Sequence, residues 1–227
     1  MMKLFIAVVL QTLFFSAAIL QAQSSTIRLP VSANTDIYRA EGYNDGSGGV
    51  EPFPYVFPAQ SGQILEFEGV VGYWTCATGV VTPYVPDGTT EVNDCYPRAS
   101  IKQPVGPYSG FYNTDFHGAM VGMFLEYTPP ASAPAPLRFY FHDSSQGGIQ
   151  VDFKTLSPLI GQVFFIGDGL TGTEMGVAQI FVVPPTATHL FLGYVDSCSQ
   201  SGYTAPSCYQ DNAGAVIAVF HMTNTSN

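Results

Sequence analysis

Apolar and polar positions alternate along this chain in short runs set apart by turn residues, a pattern of many brief strands. From Thr26 to Ser32, the side chains of Ile27, Leu29 and Val31 fall on one face and predict a first strand. Asp36 to Gln60 has little period and reads as a long covering loop, with Phe53, Tyr55 and Phe57 packing onto the sheet. Gln63 to Gly72 alternates again, with Ile64, Leu65 and Phe67 across the pleat from Glu66 and Glu68. Thr78 to Phe116 reads as an irregular insertion. Further strands are expected from Phe116 to Tyr127, Leu137 to Phe141, Ile149 to Phe153 and Ala178 to Val183. Near the end, an apolar run from Leu190 closes at Asp196, a polar loop lies between Cys198 and Cys208, and a second apolar run reaches Phe220. About nine strands in one unit predict an all-β fold, an antiparallel β-sandwich of jelly-roll type.

Composition narrows the setting. Met1 to Ala22 carries one lysine and then an interrupted apolar run, the layout of a secretory signal peptide cut after Ala22. Gln11 and Thr12 break that run, which speaks against a membrane anchor, and no later stretch is long and apolar enough to span a bilayer. Residues 23–227 then form a single domain, exported to the extracellular or periplasmic space. The net charge of −10 disfavours nucleic acid and anionic membranes as partners, and loss of Lys3 with the leader makes it one unit more negative. Four cysteines in an exported chain read as two disulfides with three possible pairings. Local pairing, Cys76 with Cys95 and Cys198 with Cys208, is preferred, because each bridge closes a loop that leaves the candidate metal site.

That closing stretch holds the candidate chemistry. Asp196, Asp211 and Asn212 place hard oxygens at both mouths of the Cys198 to Cys208 loop, and backbone carbonyls there can complete the six to eight contacts of calcium. A hairpin whose Asp-Asn-x-Gly makes a tight turn explains the same spacing. From the residues alone, both readings stand.

The run Tyr194-Val195-Asp196-Ser197, a variable loop, then Cys208-Tyr209-Gln210-Asp211-Asn212-Ala213-Gly214 resembles the calcium loop of the bacterial galactophilic lectin I family. It is also similar to a broader group of exported bacterial proteins sharing a Phe-Phe-Ile-Gly-Asp-Gly turn, here Phe164 to Gly169, and the same closing segment. The resemblance implies a galactose-binding-domain-like sandwich. It implies one Ca2+ held by Asp196, Asp211 and Asn212 with backbone carbonyls of Cys208 and Cys76, and a neutral, galactose-like saccharide whose hydroxyls meet the ion. Asp211 stands where the family has asparagine, adding a negative charge. The implied function is non-catalytic, calcium-dependent carbohydrate binding, with a homo-oligomer left open.

Two other functions are weighed against it. One is an extracellular structural sandwich in which calcium only stiffens a loop. The other is a glycan-processing enzyme, for which Glu66 and Glu68 are the paired carboxylates, although a solvent-facing strand position explains both. Asp168 is read first as a turn former within Gly167-Asp168-Gly169 and second as an acidic ligand. The common hydrolase, zinc-protease, phosphate-loop and dinucleotide fingerprints are not found.

Overall fold

A computed structural model describes residues 26–77, 83–90, 100–127, 134–141, 148–172, 176–197 and 206–224. The leader, Cys95, Cys198, Tyr96 and most of the Pro129 to Pro136 loop lie outside these residues. The chain is nearly all β, as its alternation predicts, and its strands form two main sheets with a small third one.

The first sheet contains β1 (Ile27–Ser32), β11 (Ala213–Asn224), β3 (Gln63–Thr75), β9 (Ile180–Val182) and β7 (Thr155–Leu156), in that spatial order. The second has the order β2 (Tyr55–Val56), β10 (His189–Gly193), β5 (Val121–Leu125), β8 (Val163–Phe165). A short parallel pair, β4 (Tyr112–Asn113) and β6 (Tyr140–Phe141), lies apart from them. Among the described residues this makes eleven strands rather than about nine, and β7 with β9 is a second parallel pair in an otherwise antiparallel scheme. Ile149 to Phe153 is not a strand, since Ile149 makes only a single bridge to Phe141.

Aromatic side chains join the layers. Phe164 of β8 lies 5.2 Å from Phe181 of β9, and Tyr55 of β2 lies 5.3 Å from Phe220 of β11, so each pair spans the two sheets. Strands β5 and β10 are buried along their whole length, as expected of continuous apolar runs covered on both faces. A 3-10 segment at Ile37–Gly42 covers part of that sheet, with Tyr108 donating its hydroxyl hydrogen to Ala40 O at 2.9 Å. Of the aromatics expected to pack from the covering loop, Phe57 is buried and Tyr55 half-buried, but Phe53 is 74% exposed.

The long strand β3 changes its inward face part-way along. Pairing with β11 runs from Phe220↔Phe67 directly to Val219↔Gly69, so Glu68 is an extra residue in a bulge whose Gly69 takes φ +152. Before the bulge the odd positions Leu65 and Phe67 face the core; after it the even positions Val70, Trp74 and Cys76 do. Without the inserted residue, Trp74 would point to solvent and Tyr73, now 63% exposed, would point inward. By the same alternation Ile64 stands on the face of Glu66, not with Leu65 and Phe67. His221 joins Glu66 (3.4 Å) and Glu68 (3.8 Å), and Thr26 donates to Glu68, so both glutamates belong to a polar cluster on the sheet's outer face.

Candidate functional site

The two apolar runs of the closing stretch do not form a hairpin. Strand β10 pairs with β2 and β5, whereas β11 pairs with β1 and β3, so the segment between them crosses from one sheet to the other. Asp196 therefore comes from the end of one layer, and Asp211 and Asn212 from the start of a strand in the other.

Tyr209 joins the two sides. Residues Tyr209–Asp211 make a 3-10 turn, entered through Cys208 with φ +69, a left-handed conformation uncommon for a residue with a side chain. The fully buried Tyr209 hydroxyl accepts the Asp196 N–H at 3.0 Å and donates to Tyr194 O at 3.2 Å. The Ser197 N–H donates to Asp196 Oδ1 at 2.6 Å and the Ser207 N–H to Asp196 O at 3.1 Å, so both ends of the crossing segment meet at this buried aspartate.

On the other side, Asn212 Nδ2 donates to Ala33 O at 3.0 Å. A carbonyl can only accept, so this bond fixes the amide orientation and turns Asn212 Oδ1 the other way. Asn212 Oδ1 is buried and receives no hydrogen bond among the described residues, and the same holds for Asp211 Oδ1. Oxygens of two consecutive residues, shielded from water without donors, cost free energy unless something positive meets them. The ladder of β11 with β3 ends at Ala213↔Thr75, so Cys76, the residue after β3, and Asn212, the residue before β11, both adjoin its last pair. The Cys208 carbonyl lies at the entry of the turn and accepts the Asp211 N–H at 3.5 Å, a long contact. Cys76 and Cys208 are both disulfide-bonded, while Cys95, Cys198 and with them the choice of pairing lie outside the described residues.

The structure adds a component that the spacing of the closing stretch does not show. The glycine-rich loop from Asn44 to Gly49 packs behind the turn, with Gly49 wedged between Asp36 and Tyr209 and Gln210 Nε2 donating to Ser47 O at 3.3 Å. Asp36 is fully buried, its Oδ1 accepting the Tyr38 N–H at 2.9 Å and its Oδ2 accepting from the Ser47 hydroxyl. Burial, and next the hydrogen-bonded neighbour Asp45, push the Asp36 carboxyl up to about 8. Burial, followed by the charges of Asp36 and Asp196, holds the Tyr209 hydroxyl well above its usual range. The legible signal for this component is an Asp two residues before a buried Tyr, the spacing of an Asx turn, ahead of Asn-Asp-Gly-Ser-Gly-Gly.

A Cβ on Gly49 would lie 2.5 Å from Asp36 Cβ and 3.0 Å from Tyr209 Cγ, so loop and turn cannot both stay in place around it. Gly49→Ala is expected to cost about 1–3 kcal/mol, the range of overpacked buried sites. Urea denaturation measures that cost, and an unchanged midpoint would show that the loop yields freely.

Asp168 acts as a turn former, its Oδ1 accepting the Leu170 N–H at 2.8 Å. Among the described residues no group of three or more His, Cys, Asp or Glu side chains gathers as a metal cluster. Asp196, Asp211 and Asn212 at the closing turn carry carboxylate and amide oxygens, donors of the type calcium takes. No described helix is long and apolar enough to cross a membrane. No family model, curated relative or solved structure matches the chain.

Proposed function

We propose that this chain is an exported, non-catalytic protein that binds a neutral saccharide with the help of one calcium ion at the closing turn. The observation that carries this reading is the pair of buried, donorless oxygens on Asp211 and Asn212. They lie at the foot of a turn tied to Asp196 through Tyr209. Asp196, Asp211 and Asn212 would hold the ion, with the carbonyls of Cys208 and Cys76. Calcium, when bound, would supply open coordination positions for two neighbouring sugar hydroxyls.

The chain's own residues do the positioning. Asn212 is locked by Ala33, and Tyr209 ties the Asp196 backbone to the turn. Little reorganisation is then needed on binding, which favours affinity because fewer groups must be ordered. Asp211 in place of the family's asparagine adds a charge beside these oxygens, strengthening cation binding relative to a neutral amide. Export follows the leader-like Met1 to Ala22, and the resemblance to galactophilic lectins supports a galactose-like ligand.

A glycan array run with and without a chelator tests the reading. Saccharide binding that vanishes on chelation and returns with calcium is the expected result. Heat stability that falls on chelation without any saccharide signal would point instead to a structural role for the ion. Turnover of a polysaccharide would replace both with an enzyme.

A further inference from the structure

Strand β3 is long and its neighbour β9 is short. Pairing between them ends at Glu66↔Ile180, and the next contact on that side is the bridge of Trp74 to Tyr84. From Phe67 to Tyr73, therefore, β3 has β11 on one side and, among the described residues, no strand on the other. A groove of about 470 Å³ lies along this gap, a size within the range of binding sites. Glu68 to Tyr73 form one wall, and Val85, Pro86, Asp168 and Leu170 line the rest.

The backbone of β3 turns hydrogen-bonding groups into the gap. The Trp74 N–H donates to Tyr84 O at 3.2 Å and the Tyr84 N–H donates to Trp74 O at 2.8 Å, so both backbone groups of Trp74 point away from β11. Alternate residues of an antiparallel strand present their groups to the same side, which gives Gly72 and Val70 that direction too. The Gly72↔Val216 pair agrees with this. A Cβ on Gly72 would meet Val216 Cα at 2.8 Å, the close approach of a pair that exchanges no hydrogen bonds. On the gap side, Val70 and Gly72 have no backbone partner among the described residues.

The far wall does not close the ladder. Pro86 has no N–H, and its carbonyl accepts the Met120 N–H at 2.9 Å. The Val85 carbonyl accepts the Gly88 N–H at 2.9 Å, and the Leu170 N–H is taken by Asp168 Oδ1 at 2.8 Å. An unpaired strand edge is a template for another chain, and folds commonly guard one with proline, as Pro30 stands in the outer strand β1. Beside the gap, β3 carries Gly69 and Gly72 instead, residues that let another backbone come close.

Donors and acceptors repeating at strand spacing match an extended peptide backbone, whereas a sugar ring has no such repeat. Glu68 stands on the β3 wall, none of the described lining residues is Lys or Arg, and the net charge of the chain is −10, so a cationic segment is favoured. We propose that the gap binds an extended, Lys- or Arg-bearing peptide segment of a partner protein, which pairs with Val70 and Gly72 as an added strand. The inference does not rest on the calcium reading.

Amide hydrogen exchange of the exported chain, followed by NMR in the presence of a chelator, tests this residue by residue with the peptide acetyl-Thr-Val-Lys-Val-Thr-amide. Slower exchange at Val70 and Gly72 in saturating peptide, with Val71 and Tyr73 unchanged because they already face β11, is the expected result. Affinity should fall about tenfold when the central amides of the peptide are N-methylated, and a few-fold in Glu68→Lys, an exposed position outside the core. No binding at millimolar peptide, equal affinity for the methylated peptide, unchanged affinity in Glu68→Lys, or unaltered exchange at Val70 and Gly72 with peptide bound would overturn the proposal. Exchange already slow there without peptide would show the gap closed by the chain itself or, if it tracks protein concentration, by a second copy, and displacement of the peptide by galactose would assign the groove to a saccharide. Each of these results overturns it as well.

Discussion

Raising the pH from 5 to 7 is expected to weaken the fold by about 1 kcal/mol per pH unit, and Asp36→Asn is expected to abolish most of that slope. The folded Asp36 carboxyl holds its proton up to about 8, against 3.8 for an unperturbed group, chiefly because it is buried and secondly because of Asp45. Below pH 3.8 the proton is bound in both the folded and the unfolded chain, so this group contributes no pH dependence. Between 3.8 and about 8 the unfolded chain releases a proton that the folded chain keeps, so stability falls as pH rises. Above about 8 both forms are ionised and the decline ends. Asparagine keeps an acceptor for the Tyr38 N–H and offers an amide donor toward Ser47 or Asp45, imitating the protonated acid. Urea midpoints of both proteins at half-unit pH steps measure the effect. A flat wild-type profile between pH 5 and 7 would show that Asp36 ionises without penalty.

Trp74 is the second position with a large expected effect. It is 1% exposed, its ring lies 4.5 Å from Tyr194 and 5.7 Å from Tyr84, and it carries the β3 side of the core beneath the closing turn. Trp74→Ala is expected to cost about 3–5 kcal/mol, the range of large aromatic deletions from a packed core. The Tyr194 carbonyl anchors the Tyr209 hydroxyl, so the same change should also loosen the link between Asp196 and the turn. The indole Nε1 has no hydrogen-bond partner among the described residues, so Trp74→Phe sacrifices packing volume but no bond, and should retain much more of the stability. Denaturation of both variants separates volume from hydrogen bonding. Equal losses would mean that the indole nitrogen matters after all.

The alternation of Ile27, Leu29 and Val31 and of Leu65 and Phe67 made the sandwich legible, because a half-buried strand writes its inward face into every second residue, while the continuous apolar run after Leu190 marked a strand covered on both faces. Two features escaped that reading. The bulge at Glu68 and Gly69 reverses the inward parity of β3, and a glycine inside an alternating run does not say on its own that the register has slipped. Two apolar runs joined by a polar loop look the same whether they pair with each other or with different sheets; long-range packing of β10 against β5 and of β11 against β3 decides it. At the closing turn, Asp196, Asp211, Asn212 and Cys208 were legible as a local group. Asp36 and the Asn44 to Gly49 loop carry a local turn signal but nothing that places them at the closing turn, because they reach it from about 160 residues away in the chain, through contacts such as that of Gln210 with Ser47.

Calorimetric titration of calcium into the chelator-treated exported chain, repeated for Asp211→Ala with Asn212→Ala and then with galactose present, tests the central claim most directly. One ion per chain, lost in the double variant and bound more tightly when galactose is added, is the predicted result. No heat of binding in the parent chain, or the same affinity after both oxygens are removed, would contradict it.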